Sequence, residues 1–245
     1  MYKKKLSRLL LSGITVVLSL FPLAPVNSVT FQPKGRPQRT SGGASRGICI
    51  QERASSQSAT GGARSQVAAL IPATDGEIAA AAYPTILVQI PESQPLKAEF
   101  SLWDENSNGI YQTTLTLTGI PGIVSFTLPD TAPALETGKR YKWTVAVICD
   151  PKEPLRNVVV EGWLERKELS SALKSEINSA EPLQKVELYA KNGYWYETVA
   201  TLAELKRSRP QDRTISAEWQ QLLQSVGLSE FGQTPIVNCC QAQNN

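Results

Sequence analysis

The sequence predicts an all-β sandwich followed by a small α-helical subdomain, and three observations carry that prediction. From Arg140 to Cys149 the side chains alternate. Tyr141, Trp143, Val145 and Val147 fall on one face, and Lys142, Thr144, Ala146 and Ile148 on the other, a period of two that only an extended chain presents. Seven short runs enriched in β-branched and aromatic residues and punctuated by Pro and Gly lie between Gln66 and Arg166. Helical periodicity begins only at Leu169.

Taken in order, residues 1–28 read as a secretory signal peptide. Lys3, Lys4, Lys5 and Arg8 precede an apolar run from Leu9 to Phe21, followed by Pro22, Pro25 and Val26-Asn27-Ser28. The run falls short of the roughly 20 apolar residues a bilayer span needs, and Pro22 would break a helix there, so no transmembrane span is expected after signal removal. Residues 29–65 read as a basic flexible arm, rich in Gly, Ser, Arg and Gln, with Ile48-Cys49-Ile50 as its anchored spot. Its Arg36, Arg39, Arg46, Arg53 and Arg64 suit an anionic polymer or lipid headgroups if they are more than a solvated linker.

Residues 66–168 form the sandwich domain, with strands expected at 66–71, 83–90, 97–104, 110–117, 123–128, 140–149 and 157–166. Asn108-Gly109 turns the third into the fourth, and Gly119 to Gly122 turns the fourth into the fifth. Phe100, Leu102, Leu115, Leu117, Phe126 and Trp163 join Tyr141 and Trp143 as expected core. Leu135, Gly138 and Tyr141 are spaced like the tyrosine corner of immunoglobulin-like sandwiches, where the phenol bonds backbone a few residues upstream.

Residues 169–245 form the helical subdomain with a disulfide-linked tail. Helical patterns run over 167–178, 183–191 with Pro182 in the first turn, 195–207, and 215–226 before a C-cap Gly227.

Charge divides the chain. Residues 1–65 hold ten Lys/Arg against Glu52 alone, whereas the remainder holds 15 bases and 21 acids, so the net +3 hides two opposite halves. The acidic balance of the folded part disfavours nucleic acid as a partner.

Four cysteines, Cys49, Cys149, Cys239 and Cys240, in an exported chain suggest two disulfides. Adjacent Cα atoms sit about 3.8 Å apart, less than the 5.5–6 Å or so that disulfides prefer, so Cys239 and Cys240 are expected to pair separately with Cys49 and Cys149. Each bridge would close a loop of roughly 90 residues or more, contributing of order 4–5 kcal/mol in the chain-entropy model.

The chain has no histidine, which removes Ser-His-Asp and Cys-His nucleophilic sites, histidine bases and most catalytic zinc sites. Asp150, Glu153, Glu161 and Glu165 are the carboxylates that could gather at one end of the sandwich as a glycoside-hydrolase pair, the alternative being solvated strand-end charges. Asp104 to Gly109 matches the first half of an EF-hand loop, but the twelfth position is Leu115 and a hairpin turn explains the same residues. Tyr189, Tyr194, Trp195 and Tyr196 form an aromatic cluster that either lines a binding surface or packs the helices onto the sandwich. No cofactor or metal site is expected.

Two resemblances follow. Leu188-Tyr189, Gly193, Trp195 and Pro210 are spaced similarly to one tetratricopeptide repeat, although Thr198 and Leu205 stand where that repeat has alanines and no second copy occurs. More broadly, Ser45 to Cys49, Ala81 to Thr85, Glu99 to Asp104, Ile110 to Leu117, Ile120 to Ser125, Gly138 to Trp143, Ile148 to Pro151, Val160 to Trp163, Tyr196 to Leu205 and the terminal Cys239-Cys240 resemble, in order, the exported cyanobacterial family catalogued as domain of unknown function 928. That resemblance implies an exported protein with no assigned activity. The expectation is therefore a non-enzymatic binding module of the cell envelope, periplasmic or extracellular, whose partner is another exported protein or an anionic envelope polymer. A carboxylate-dependent glycan hydrolase and a structural envelope component are the alternatives.

Overall fold

The computed structural model describes residues 28–34, 66–72, 77–91, 97–238 and 240–242. The signal peptide up to residue 27, most of the arm, Cys49 and Cys239 lie outside the described residues. The described chain forms strands β1 (Ala68–Ala69), β2 (Ile78–Ala79), β3 (Thr85–Ile90), β4 (Lys97–Asp104), β5 (Gly109–Thr116), β6 (Gly122–Thr127), β7 (Arg140–Ile148) and β8 (Val158–Arg166). Helices α1 (Ser171–Ser179), α2 (Pro182–Lys191), α3 (Trp195–Ser208) and α4 (Arg213–Ser225) follow, and β9 (Gln241–Ala242) lies in the tail.

The strands form two sheets, one in the order β1-β3-β6 and the other β2-β8-β7-β4-β5-β9, mixed because β2 runs parallel to β8. Alternation sets which side chains each sheet buries. In β7, Tyr141, Trp143, Val145 and Val147 are buried while the residues between them stay partly exposed. Register aligns this row with Leu102 and Phe100 of β4 and with Leu164, Gly162, Val160 and Val158 of β8. From the smaller sheet, Phe126 of β6 stacks on Phe100, with ring centroids 6.3 Å apart, and so joins the two layers.

Tyr141 fixes the entry to β7. Its hydroxyl accepts from the Glu136 N–H at 2.9 Å, over a buried Leu135, and Gly138 takes φ +80 so that its N–H reaches the Arg166 carbonyl at 2.7 Å.

The helices share one hydrophobic core with the sheets. Helix α3 packs against β2 and β3, and its first turn reaches both sheets. The Trp195 indole donates to the Leu70 carbonyl at 2.9 Å, and the Tyr196 hydroxyl donates to the Trp163 carbonyl of β8 at 2.7 Å. On the far side the tail does the corresponding work. Ile236 bridges Ile123 of β6, and β9 pairs with β5, so one tail covers an edge of each sheet. Gly122 is required there, because a Cβ would lie 2.7 Å from the Pro235 carbonyl oxygen. Cys149, just past β7, and Cys240 in the tail are both disulfide-bonded, and no described cysteine is free.

Four sequence expectations shift. Helix α1 starts at Ser171 rather than 167, because the Ser170 hydroxyl accepts from the Leu173 N–H while Lys167 still bonds Ala79 of β2. Helix α4 starts two residues early on the Asp212 side chain, which accepts from Thr214 and Ile215. Strands β2 and β9 were not foreseen, since two-residue strands carry no pattern of their own. The arm is not loose at its start: Val29 and Phe31 are buried, Phe31 meets the Trp195 ring edge-on at 5.0 Å, and Gln32 N–H donates to the Ala190 carbonyl.

Candidate functional site

The outer face of the larger sheet carries a row of side chains that solvent reaches. Register places Trp103 of β4 opposite Lys142 of β7, and Lys142 opposite Trp163 of β8. Adjacent strands are about 4.8 Å apart, so the two indoles stand roughly 10 Å apart with a lysine stem between them. The next rung on the same face is Ser101, Thr144 and Glu161.

Local sequence sets each position. The β4–β5 pairing slips between Leu102 and Trp103, so Trp103 faces Gly109, which has no side chain to cover its ring. The turn beyond is closed by Asp104, whose carboxylate accepts from the Asn106 and Asn108 N–H groups and the Asn108 amide at 2.8–2.9 Å. Those bonds, from Asn108 above all, hold the Asp104 carboxyl below its ordinary range. Trp163 is held by Arg140, whose guanidinium lies 5.0 Å from its ring centroid and bonds Glu77 at 2.7 Å. Lys142 pairs with Glu161 at 2.8 Å.

Between these residues lies a shallow depression of about 410 Å³ lined by Trp103, Asp104, Ser107, Lys142, Thr144 and Trp163. Two indole surfaces, two hydroxyls and one ammonium can stack on and hydrogen-bond a ligand. Asp104 is committed to its own turn and stays ionised, so it is a poor general acid.

The residues expected from sequence to form a binding surface are elsewhere. Tyr194, Trp195 and Tyr196 are buried and Tyr189 is half-buried, because Trp195 and Tyr196 face the sheets and Tyr194 bonds the Glu168 carbonyl. They are packing residues, the second of the two readings. Burial raises the Tyr189, Tyr194 and Tyr196 hydroxyls above the ordinary tyrosine range. Beside them Glu197 accepts from the Ala80 and Ala81 N–H groups at 2.8 and 2.9 Å, its carboxyl pushed up by burial.

The four carboxylates do not converge. Asp150 and Glu153 follow the end of β7, whereas Glu165 lies opposite Arg140 at its start, and the two ends are eight strand positions or roughly 26 Å apart. Glu161 sits between them, bonded to Lys142, and Glu165 pairs with Lys167 at 3.4 Å.

The two indoles were missed as a pair. Trp163 was expected in the core on size, but it shares its parity with Glu161 and Glu165, and Leu164 points inward instead. Among the described residues no three His, Cys, Asp or Glu side chains gather as a metal site, and no helix is long and apolar enough to cross a membrane.

A family model described as Domain of Unknown Function (DUF928) matches residues 41–236. No curated protein and no solved structure matches the chain.

Proposed function

The chain belongs to this family of unknown function, and from that premise we propose that it is an exported, non-enzymatic binding module of the cell envelope whose ligand is a saccharide chain. The observation that carries the reading is the Trp103-Lys142-Trp163 rung, two partly exposed indoles on one face with hydroxyls between and beside them. Sugar rings offer C–H faces that suit the negative face of an indole, and hydroxyls that suit Ser107, Thr144 and Lys142. A protein partner of comparable affinity would call for a larger apolar patch.

The charges around the face leave no positive excess, since Asp104 also lines it. Lys142 and Arg140 are matched by Glu161 and Glu77, which favours a neutral or weakly charged polymer over the strongly anionic one. The hydrolase alternative loses support from the separation of its carboxylates. The Tyr141 bond to Glu136 supports an immunoglobulin-like reading of the sheets, and the α2–α3 hairpin, turning at Gly193, supports a tetratricopeptide-like reading of the helices. The disulfide-bonded state of Cys149 and Cys240 fits an oxidising compartment outside the cytosol, periplasmic or extracellular.

The test is co-sedimentation of the oxidised mature protein with insoluble polysaccharide from its native envelope. Retention that soluble oligosaccharide reverses, without release of sugar, supports the reading. Stoichiometric capture of a protein instead, or release of reducing ends, contradicts it.

A further inference from the structure

Segment 28–34 lies across the helices, and its anchor is a buried carboxylate. Val29 N–H donates to Glu218 Oε2 at 2.6 Å, and both residues are buried. The following residues continue the docking. Phe31 sits against Trp195, Gln32 bonds the Ala190 carbonyl, and Lys34 Nζ reaches Asn192 Oδ1 at 3.3 Å. Gly193 is required by this path, since a Cβ there would lie 2.9 Å from the Lys34 Cβ.

Among the described residues no Lys or Arg pairs with Glu218 to balance its charge. The neighbour that feels its charge is another carboxylate, Glu187 of α2, which burial and Glu218 both push toward the protonated form. A buried carboxylate with a single backbone donor is a costly arrangement, and a buried charge is ordinarily paired.

The sequence supplies the missing charge. Val26 and Ser28 are the small residues a signal peptidase takes three positions and one position before its cut, which places the cut between Ser28 and Val29. Hydrolysis of that peptide bond consumes one water and leaves a carboxylate on Ser28 and an amine on Val29, which protonates. We propose that the Ser28–Val29 bond is the processing site and that the new Val29 α-ammonium becomes the buried ion-pair partner of Glu218, so that signal removal completes the helical core. The inference rests on the export part of the proposed function. Cleavage precedes folding, so the burial of Val29 in the folded chain does not obstruct it.

Three measurements test it. Terminal mass analysis of protein recovered from its exporting host gives Val29 as first residue if the inference holds. A different start after Phe21 overturns it while leaving export intact, and a retained Met1 overturns both. Second, native amine labelling near neutral pH should spare the Val29 amine until the protein unfolds. Labelling at the rate of a free terminus overturns the pairing without any substitution. Third, a chain starting at Val29 should melt roughly 4–8 °C above one retaining Ala24 to Ser28, as expected for a buried charge-assisted bond in a domain of this size. The gap should vanish when both chains carry Glu218→Gln. Equal melting of the two unsubstituted chains, or a gap that survives Glu218→Gln, overturns it.

Discussion

The indole N–H of Trp143, on the inner face of β7, donates to the hydroxyl of Tyr196 at the start of α3 at 2.8 Å. The same hydroxyl donates to the Trp163 carbonyl at 2.7 Å. One phenol therefore satisfies a buried donor in the sheet core and a carbonyl of β8 while fastening a helix to both. Tyr196→Phe keeps the ring and removes both bonds, leaving two buried groups without partners. The expected loss is about 2–4 kcal/mol in urea denaturation, with secondary structure retained. A loss below about 0.5 kcal/mol would contradict the role given to this hydroxyl.

Gly162 lies opposite Trp143, and a Cβ on it would sit 2.5 Å from the indole ring. Gly162→Ala should therefore displace Trp143 and weaken its bond to Tyr196. The expected cost is at least about 2 kcal/mol by denaturation, with a shift in tryptophan fluorescence as the indole moves.

Glu197 gives a pH signature. Burial raises its folded carboxyl above the ordinary 4.5, so the folded state holds the proton more tightly than the unfolded state. Its contribution to stability is fully present below the unfolded value and is lost as pH rises through the raised folded one. Glu197→Gln keeps an oxygen for the Ala80 and Ala81 N–H groups and removes the charge. It should match or exceed the parent near neutral pH, with an advantage that grows as pH rises above about 4.5. Glu197→Ala abandons both donors and should cost about 1–3 kcal/mol. Melting curves of the three proteins across pH check the ordering.

Tyr141→Phe removes the hydroxyl that accepts from Glu136. The expected cost is about 1 kcal/mol, with amide exchange at Glu136 accelerated relative to the β7 core.

Much of this architecture was legible because alternation is a strong signal. The seven expected strands occur within two or three residues of their predicted ends, except that 66–71 pairs only over Ala68–Ala69. The Tyr141 bond was legible from the spacing of Leu135, Gly138 and Tyr141. What failed was reading residue type ahead of parity. As a large aromatic Trp163 reads inward, although its neighbours two positions away are Glu161 and Glu165. Tyr194, Trp195 and Tyr196 carry two readings, surface or packing, and packing is the one found, because α3 lies against β2 and β3 and leaves these rings little solvent to face. The docking of Val29 and Phe31 leaves no pattern, since two apolar residues in a polar stretch show no period; their partners, Glu218 and Trp195, lie far away in sequence. The tail strand β9 depends on the path back along β6 and β5, which is tertiary information.

The face itself is tested by removing the indoles. Trp103 and Trp163 are partly exposed and lie outside the core cluster, so Trp103→Ala and Trp163→Ala should each leave a cooperative melt. The direct measurement is a tryptophan-fluorescence titration of the oxidised mature protein with soluble oligosaccharides from its native envelope, run beside the doubly substituted Trp103→Ala/Trp163→Ala protein. Saturable quenching in the parent, weakened at least about tenfold in the folded double variant, is the expected result, since losing about 1.4 kcal/mol of stacking is a tenfold loss of affinity. Equal affinity of the two folded proteins, or no saturable response in the parent, would contradict the assignment of this face as the binding site.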